Sequence, residues 1–166
     1  MEKIRILLLV VAGLFFSHSP ALYAKSFVLG KLGISNVWAR ETPGRARTAA
    51  VYIERISNFG SKSDILINIG SPLAEKTLIH ETSVENGIAK MIHIEELKIP
   101  AGNFVTLKPG GLHIMMFNIK KKLVKGFNFP MVLKFKESGR ITVIVEVKEI
   151  GTVRNLQMNH KKVHKH

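Results

Sequence analysis

Apolar residues in this chain occur mostly in short runs separated by Gly, Pro, Asn or Ser. The runs are rich in β-branched and aromatic residues, which is typical of strands, and none keeps the 3.6-residue period of a helix over a helical length. They cover residues 49–56, 65–69, 77–84, 88–94, 104–107, 112–119, 129–135 and 140–147. Short strands at this spacing predict an all-β domain with the architecture of a Greek-key β-sandwich or barrel.

One longer apolar run, residues 6–16, lies near the amino terminus behind two basic residues and before a polar stretch that ends in Ala24. Its eleven residues are too few for a membrane-spanning helix, which needs about 20. The pattern predicts a secretory signal peptide over residues 1–24. We expect cleavage after Ala24, but Leu22, the third residue before that bond, is larger than the small residue usual there. Cleavage after Ala21 or an uncleaved anchor therefore stays open.

The chain is strongly basic, with a formal net charge of +13, and it contains no cysteine. Export argues against nucleic acid as a partner, although the charge alone would allow one. The absence of cysteine excludes disulfides, thiolate metal sites, thiol nucleophiles and lipid attached to cysteine. Residues 151–166 are basic, contain no acid and show no apolar period, which predicts a disordered tail after a β domain over residues 25–150.

The pair Asn86-Gly87 lies between two strand-like runs and predicts a hairpin with a two-residue turn. That turn fixes the register, so that His80 lies opposite His93 and Thr82 lies opposite Met91. Side chains alternate between faces along a strand, and these four therefore share one face. His80 and Met91 become diagonal neighbours, a separation that long side chains can bridge.

A second His and Met pair, His113 and Met115, follows the turn Pro109-Gly110-Gly111. Two residues apart on a strand, they share a face, whereas Met116 points to the other side. Imidazole and thioether are neutral ligands and thioether is soft, so two such pairs favour Cu(I).

Other interpretations of these residues stay open at this point. A lone Met on a strand is often core, which is how we interpret Met116 and Met131. A lone His is often a surface residue or a hydrogen-bonded one. His93 fits a further ligand, a neighbour that orients a ligand, or a surface residue.

The spacing of His80, Met91, His113 and Met115, with 10, 21 and one residue between them in turn, resembles the signature of the PCu(A)C family of bacterial periplasmic copper chaperones. The resemblance covers residues 34–148. It extends to the segments 38–43, 49–52, 70–74, 80–82, 85–87, 108–115 and 129–130 and to the closing strand near Phe135.

The resemblance implies a cupredoxin-like β-barrel that binds Cu(I) through His80, Met91, His113 and Met115 in the periplasm. It also implies a copper acceptor, such as a cytochrome c oxidase subunit or an assembly factor of its Cu(A) centre. Two positions depart from the family: Glu81 replaces a frequent Met, and His93 replaces a frequent Pro. The tail residues Met158, His160, His164 and His166 resemble extensions that are thought to hold Cu(II).

The chain lacks an acid/base pair, a Ser-His-Asp set or a phosphate loop beside these ligands, so we expect no enzyme. A blue-copper electron carrier would need a Cys thiolate, which is absent. The alternative is an exported β-sandwich module for adhesion or ligand binding, without a specific metal. Contact with a membrane is expected only through the acceptor or an uncleaved signal.

Overall fold

The computed structural model describes residues 25–85 and 88–149, and eleven β-strands make up this part of the chain. The predicted signal peptide, the Asn86-Gly87 turn and the tail lie outside the described residues. Within the described ranges no helix is long and apolar enough to cross a membrane. The strands are β1 (Ser26–Leu29), β2 (Leu32–Arg40), β3 (Thr48–Asn58), β4 (Asp64–Gly70), β5 (Lys76–Glu85), β6 (Ile88–Ile94), β7 (Leu97–Ile99), β8 (Phe104–Leu107), β9 (Leu112–Phe117), β10 (Asn128–Phe135) and β11 (Gly139–Lys148).

All these strands belong to one curved sheet with the order β6-β5-β9-β3-β2-β11-β10-β4-β7, and β1 and β8 pair with β2 and β3. Neighbouring strands are antiparallel, with the described exception of the parallel pair β2 and β11. Strands distant in sequence become neighbours, as Greek-key connections require. The prediction of an all-β domain is confirmed.

The core lies on one face of the sheet, because alternate residues of each strand are apolar and turn inward. On β9, Ile114 and Met116 are fully buried, and Met131 of β10 joins them. The interpretation of Met116 and Met131 as core residues is confirmed. A fully buried side chain of this kind stabilises the fold by about 1.5–3 kcal/mol.

Three strands escaped the sequence pattern, and one ends early. The strand β2 carries Gly33, Ser35 and Asn36, and the backbone of Asn36 has a positive φ of 50°, so its apolar alternation is broken. The strands β1 and β7 have only four and three residues. The prediction of a strand through residue 119 was wrong: β9 ends at Phe117 because Asn118 takes a left-handed φ of 49°.

A buried carboxylate, Asp64, joins the start of β4 to the turn between β10 and β11. Its oxygens accept hydrogen bonds from the backbone N–H of Ile65 at 2.7 Å and of Glu137 and Ser138 at 3.0 Å each. Burial raises the pKa of this carboxyl, but the hydrogen bonds from the Ser138 side chain and these backbone groups outweigh it, so the pKa is lowered.

Candidate metal centre

The His and Met side chains predicted as ligands lie on three neighbouring strands, β6, β5 and β9, on the face of the sheet opposite the core. His80 of β5 is the middle member, because it pairs with His93 on one side and with His113 on the other. The flanking residues Ile79 and Ile114 point into the core. The hairpin register expected from Asn86-Gly87 is confirmed, with Thr82 opposite Met91.

The three histidines His93, His80 and His113 form a row across the strands, and the two methionines lie on either side of this row. Met91 pairs with Thr82, two residues beyond the row, and Met115 pairs with Leu78, two residues before it. Each is a diagonal neighbour of His80, with Cα atoms about 7–8 Å away. The methionines differ by four residue positions along the strands, which is about 13 Å. They can therefore approach His80 from opposite directions.

His113 is oriented by the turn that precedes it. Gly110 has a φ of +78°, which a residue without a Cβ adopts readily, and the turn returns the chain onto β9. The carbonyl of Gly111 accepts the backbone N–H of Thr82 at 3.2 Å and Nδ1 of His113 at 2.9 Å. A carbonyl only accepts, so Nδ1 carries the proton and Nε2 of His113 keeps its lone pair for an electrophile.

The other two imidazoles also have an available nitrogen. Nδ1 of His93 lies 3.0 Å from the carbonyl of Ile79 and donates to it, which leaves the Nε2 lone pair free. Nδ1 of His80 is buried and has no hydrogen-bond partner among the described residues. A buried polar atom without a partner is unfavourable unless something else satisfies it, and a metal ion would do so.

The ring centroid of His80 lies 5.6 Å from that of His93 and 6.1 Å from that of His113. Burial lowers the pKa of His80, and the positive charges that His113 and His93 carry when protonated lower it further. The neutral imidazole is the form that binds a metal, so this environment favours coordination over protonation.

Aromatic side chains surround the His113 end of the row. The ring centroid of Tyr52 lies 6.4 Å from that of His113 and 4.6 Å from that of Trp38, whose ring is tilted by 39° against it. Phe117 meets His80 edge-on at 6.0 Å. His113 is consequently only 5% exposed, whereas Met91 at the other end is 57% exposed.

The structure thus brings His80 and His113 together, places Met91 and Met115 on the same face, and adds His93 to the row. Glu81 points away, because adjacent residues of a strand face opposite sides. The sequence did not predict that the rings of Tyr52 and Phe117 lie against His113 and His80, although the segment Ala49–Tyr52 belonged to the resemblance. The predicted tail ligands Met158, His160, His164 and His166 lie outside the described residues.

Solved structures share this fold. The copper-bound PCuAC domain from PmoF2 has a TM-score of 0.66 at 23% identity and covers 75% of this chain and 98% of that domain. The solution structure of CuI-DR1885 from Deinococcus radiodurans has a TM-score of 0.58 at 24% identity, covering 77% of this chain and 83% of that protein. The chain therefore has the cupredoxin-like fold of PCuAC domains, as the sequence resemblance implied.

The family described as putative lipoprotein LpqE-like matches residues 32–147, and the chain belongs to this family. A curated relative, the putative lipoprotein Lxx21020 of Leifsonia xyli subsp. xyli (strain CTCB07), is 32% identical over 119 residues. The match covers 71% of this chain and 70% of the relative. Both the family and this relative are described as lipoproteins, whereas this chain has no cysteine to which a lipid could be attached.

Proposed function

We propose that this protein is a periplasmic copper chaperone that holds Cu(I) through His80, Met91, His113 and Met115. Its cargo would pass to an acceptor, a cytochrome c oxidase subunit or an assembly factor, for construction of the Cu(A) centre. The observation that carries the proposal is the pairing of His80 with His113 on adjacent strands, with their ring centroids 6.1 Å apart.

That separation suits two imidazoles on one metal ion. A metal–imidazole bond is about 2.0–2.1 Å long, so each ring centre lies roughly 3.2 Å from the ion. Two ring centres on one ion are then about 5–6.4 Å apart, depending on the angle at the metal. The observed 6.1 Å lies in this range without a movement of either strand. The structure therefore supports a shared ion between His80 and His113.

The donor set favours Cu(I) over other ions. Two neutral imidazoles and two thioethers bring no negative charge, which a soft monovalent ion tolerates better than Zn²⁺ or Mg²⁺ do. Copper-bearing relatives share this fold, one of them as a Cu(I) form. They support copper as the cargo, and the chemistry of the residues supports its reduced state.

The gradient of exposure across the centre suits a carrier. His113 is shielded by aromatic side chains, and Met91 is 57% exposed on an edge strand of the described sheet. A partner can therefore reach the ion from the Met91 side and replace its ligands one at a time. The predicted signal peptide over residues 1–24 would place this exchange in the periplasm, and the residues Met158, His160, His164 and His166 would add a separate Cu(II) site.

An anaerobic Cu(I) titration against a competing chelator tests the ligand set. The wild type should bind a single Cu(I) ion in the centre, and Met91→Leu and His113→Gln should each weaken binding by roughly 10–100-fold or more. Glu81→Gln is the matched control, because it lies on the same strand with its side chain on the other face. Wild-type protein that binds no Cu(I) would overturn the proposal and favour an exported ligand-binding module.

Mixing the Cu(I)-loaded protein with the copper-free soluble Cu(A) domain of an oxidase tests the acceptor. Copper that moves to the oxidase domain supports the assembly role. Copper that stays with the chaperone, while another acceptor takes it, would overturn the oxidase assignment and leave copper carriage intact.

A further inference from the structure

The outer face carries two matching His and Met pairs, one on each side of His80. On β9 the pair is His113 with Met115, and on β6 it is His93 with Met91; each histidine faces His80 and each methionine is its diagonal neighbour. We propose that His80, His93 and Met91 form a second copper position at the edge of the sheet, from which the ion leaves. This inference rests on the proposed function.

The ring separations support two positions that share His80. The centroids of His93 and His80 are 5.6 Å apart, which is inside the roughly 5–6.4 Å expected for two imidazoles on one ion. His93 and His113 pair with His80 from opposite sides. The strands that carry His93 and His113 are therefore two strand spacings apart, about 9.5 Å, and an ion can lie on either side of His80.

The hydrogen bond of His93 prepares it as a ligand. Its Nδ1 donates to the Ile79 carbonyl at 3.0 Å, which fixes the ring and directs the lone pair to Nε2. A hydrogen bond to the far nitrogen of this kind commonly orients metal-bound histidines. Nδ1 of His80, buried without a hydrogen-bond partner in the described chain, gives the shared ligand a free nitrogen.

Exposure gives the two positions different roles. The first position, formed by the four proposed ligands His80, Met91, His113 and Met115, is shielded, since His113 is only 5% exposed. The second position lies at β6, which pairs with β5 alone in the described sheet. Its proposed ligand Met91 is 57% exposed, and Val84 on the adjacent strand is 69% exposed. Transfer between the positions breaks the bonds from copper to His113 and Met115 and forms one to His93, while His80 and Met91 stay bound. The ion remains Cu(I) throughout, and no proton or electron is exchanged.

The decisive experiment removes the first position and asks whether the second still binds. A chain with His113→Gln and Met115→Leu should retain a single Cu(I) ion, weakened by about 10–100-fold or more, in an anaerobic chelator competition. Adding His93→Gln should abolish this residual binding, whereas adding Glu81→Gln should leave it. Circular dichroism and thermal unfolding verify that each variant is folded.

The outcomes separate the two proposals. Wild-type binding with no binding in the double variant would overturn the second position and leave the proposed function standing. Absence of binding in the wild type would overturn the proposed function itself. If the double variant does not fold, His93→Gln in the otherwise native chain decides: transfer of Cu(I) to a chelator should slow by about tenfold. An unchanged rate would overturn the inference.

Discussion

His80 and His113 lie directly opposite each other on β5 and β9, with ring centroids 6.1 Å apart. Burial of His80, together with the positive charge that His113 carries when protonated, lowers the pKa of His80.

Burial, His113 and His93 together lower the pKa of His80, so it should titrate below the ordinary 6.5 when followed by NMR in the copper-free protein. The unfolded chain takes up its proton near pH 6.5, before the folded chain does. The contribution of His80 to stability is therefore complete above pH 6.5 and is lost as the pH falls from there toward the folded pKa. His93→Gln should raise the pKa of His80, and Glu81→Gln serves as the comparison. A His80 pKa at or above 6.5 in the wild type would contradict this electrostatic picture.

The turn before His113 should be sensitive to a side chain at Gly110. Its φ of +78° is strained for a residue with a Cβ, although no atom beyond its two chain neighbours lies within 4 Å of the place where that Cβ would go. Gly110→Ala should therefore lower the free energy of unfolding by about 1–2 kcal/mol through backbone strain alone. Urea unfolding measures this change in the free energy of unfolding. The control is Gly70→Ala, where space is equally open and φ is not in the left-handed region, and this change should be neutral or slightly stabilising. Equal effects of the two changes would contradict the assignment of strain to Gly110.

Asp64→Asn should weaken the junction between β4 and the β10–β11 turn. Asn keeps one carbonyl oxygen, but its NH₂ group faces a backbone N–H where the carboxylate accepted a bond, so the loss should be about 1.5–3 kcal/mol. Because the folded pKa of Asp64 is lowered, its contribution is complete above about pH 4 and is lost as the pH falls through the folded pKa. Unfolding measured at pH 7 and at pH 3 should show a smaller difference from the wild type at the lower pH. The exposed neighbour Glu137 offers only its backbone, so Glu137→Gln should change neither value. A difference that stays constant with pH would rule out the carboxylate as the cause.

Deletion of residues 152–166 should separate the two oxidation states. We expect the shortened chain to lose its Cu(II) capacity in an aerobic titration and to keep its Cu(I) binding in an anaerobic one. The deletion also removes the basic residues of the tail. A full-length variant with His160, His164 and His166 changed to Gln keeps those charges and is the matched comparison. Cu(II) binding that survives both changes would place the Cu(II) site elsewhere.

The hairpin half of the centre could be predicted from local sequence. Asn86-Gly87 fixes a register, and the two-residue period then places His80, Met91 and His93 on one face. Local sequence does not say which strand lies on the other side of β5. His113 is 33 residues away from His80, and their pairing follows from the Greek-key connection. The family resemblance implied that both residues bind one ion, but it did not predict that their strands pair.

The surroundings of the centre depended on tertiary structure even more. Tyr52 reaches His113 because β3 pairs with β9, and nothing in the neighbourhood of either residue along the chain indicates that pairing. The strand β2, which carries Trp38, was missed because Gly33 and Asn36 interrupt its apolar pattern. The sequence allowed His93 to be a further ligand, a neighbour that orients a ligand, or a surface residue. In the structure His93 lies opposite His80, and the carbonyl of Ile79 fixes its ring, while its role as a ligand stays a proposal.

The most direct test of the central claim is copper X-ray absorption on the Cu(I)-loaded chain shortened after Gly151, which leaves the tail ligands out. We predict two nitrogen scatterers at about 2.0 Å and two sulfur scatterers at about 2.3 Å, with one sulfur lost in Met91→Leu and another in Met115→Leu. A copper shell of nitrogen and oxygen alone, unchanged by either methionine substitution, would contradict the account.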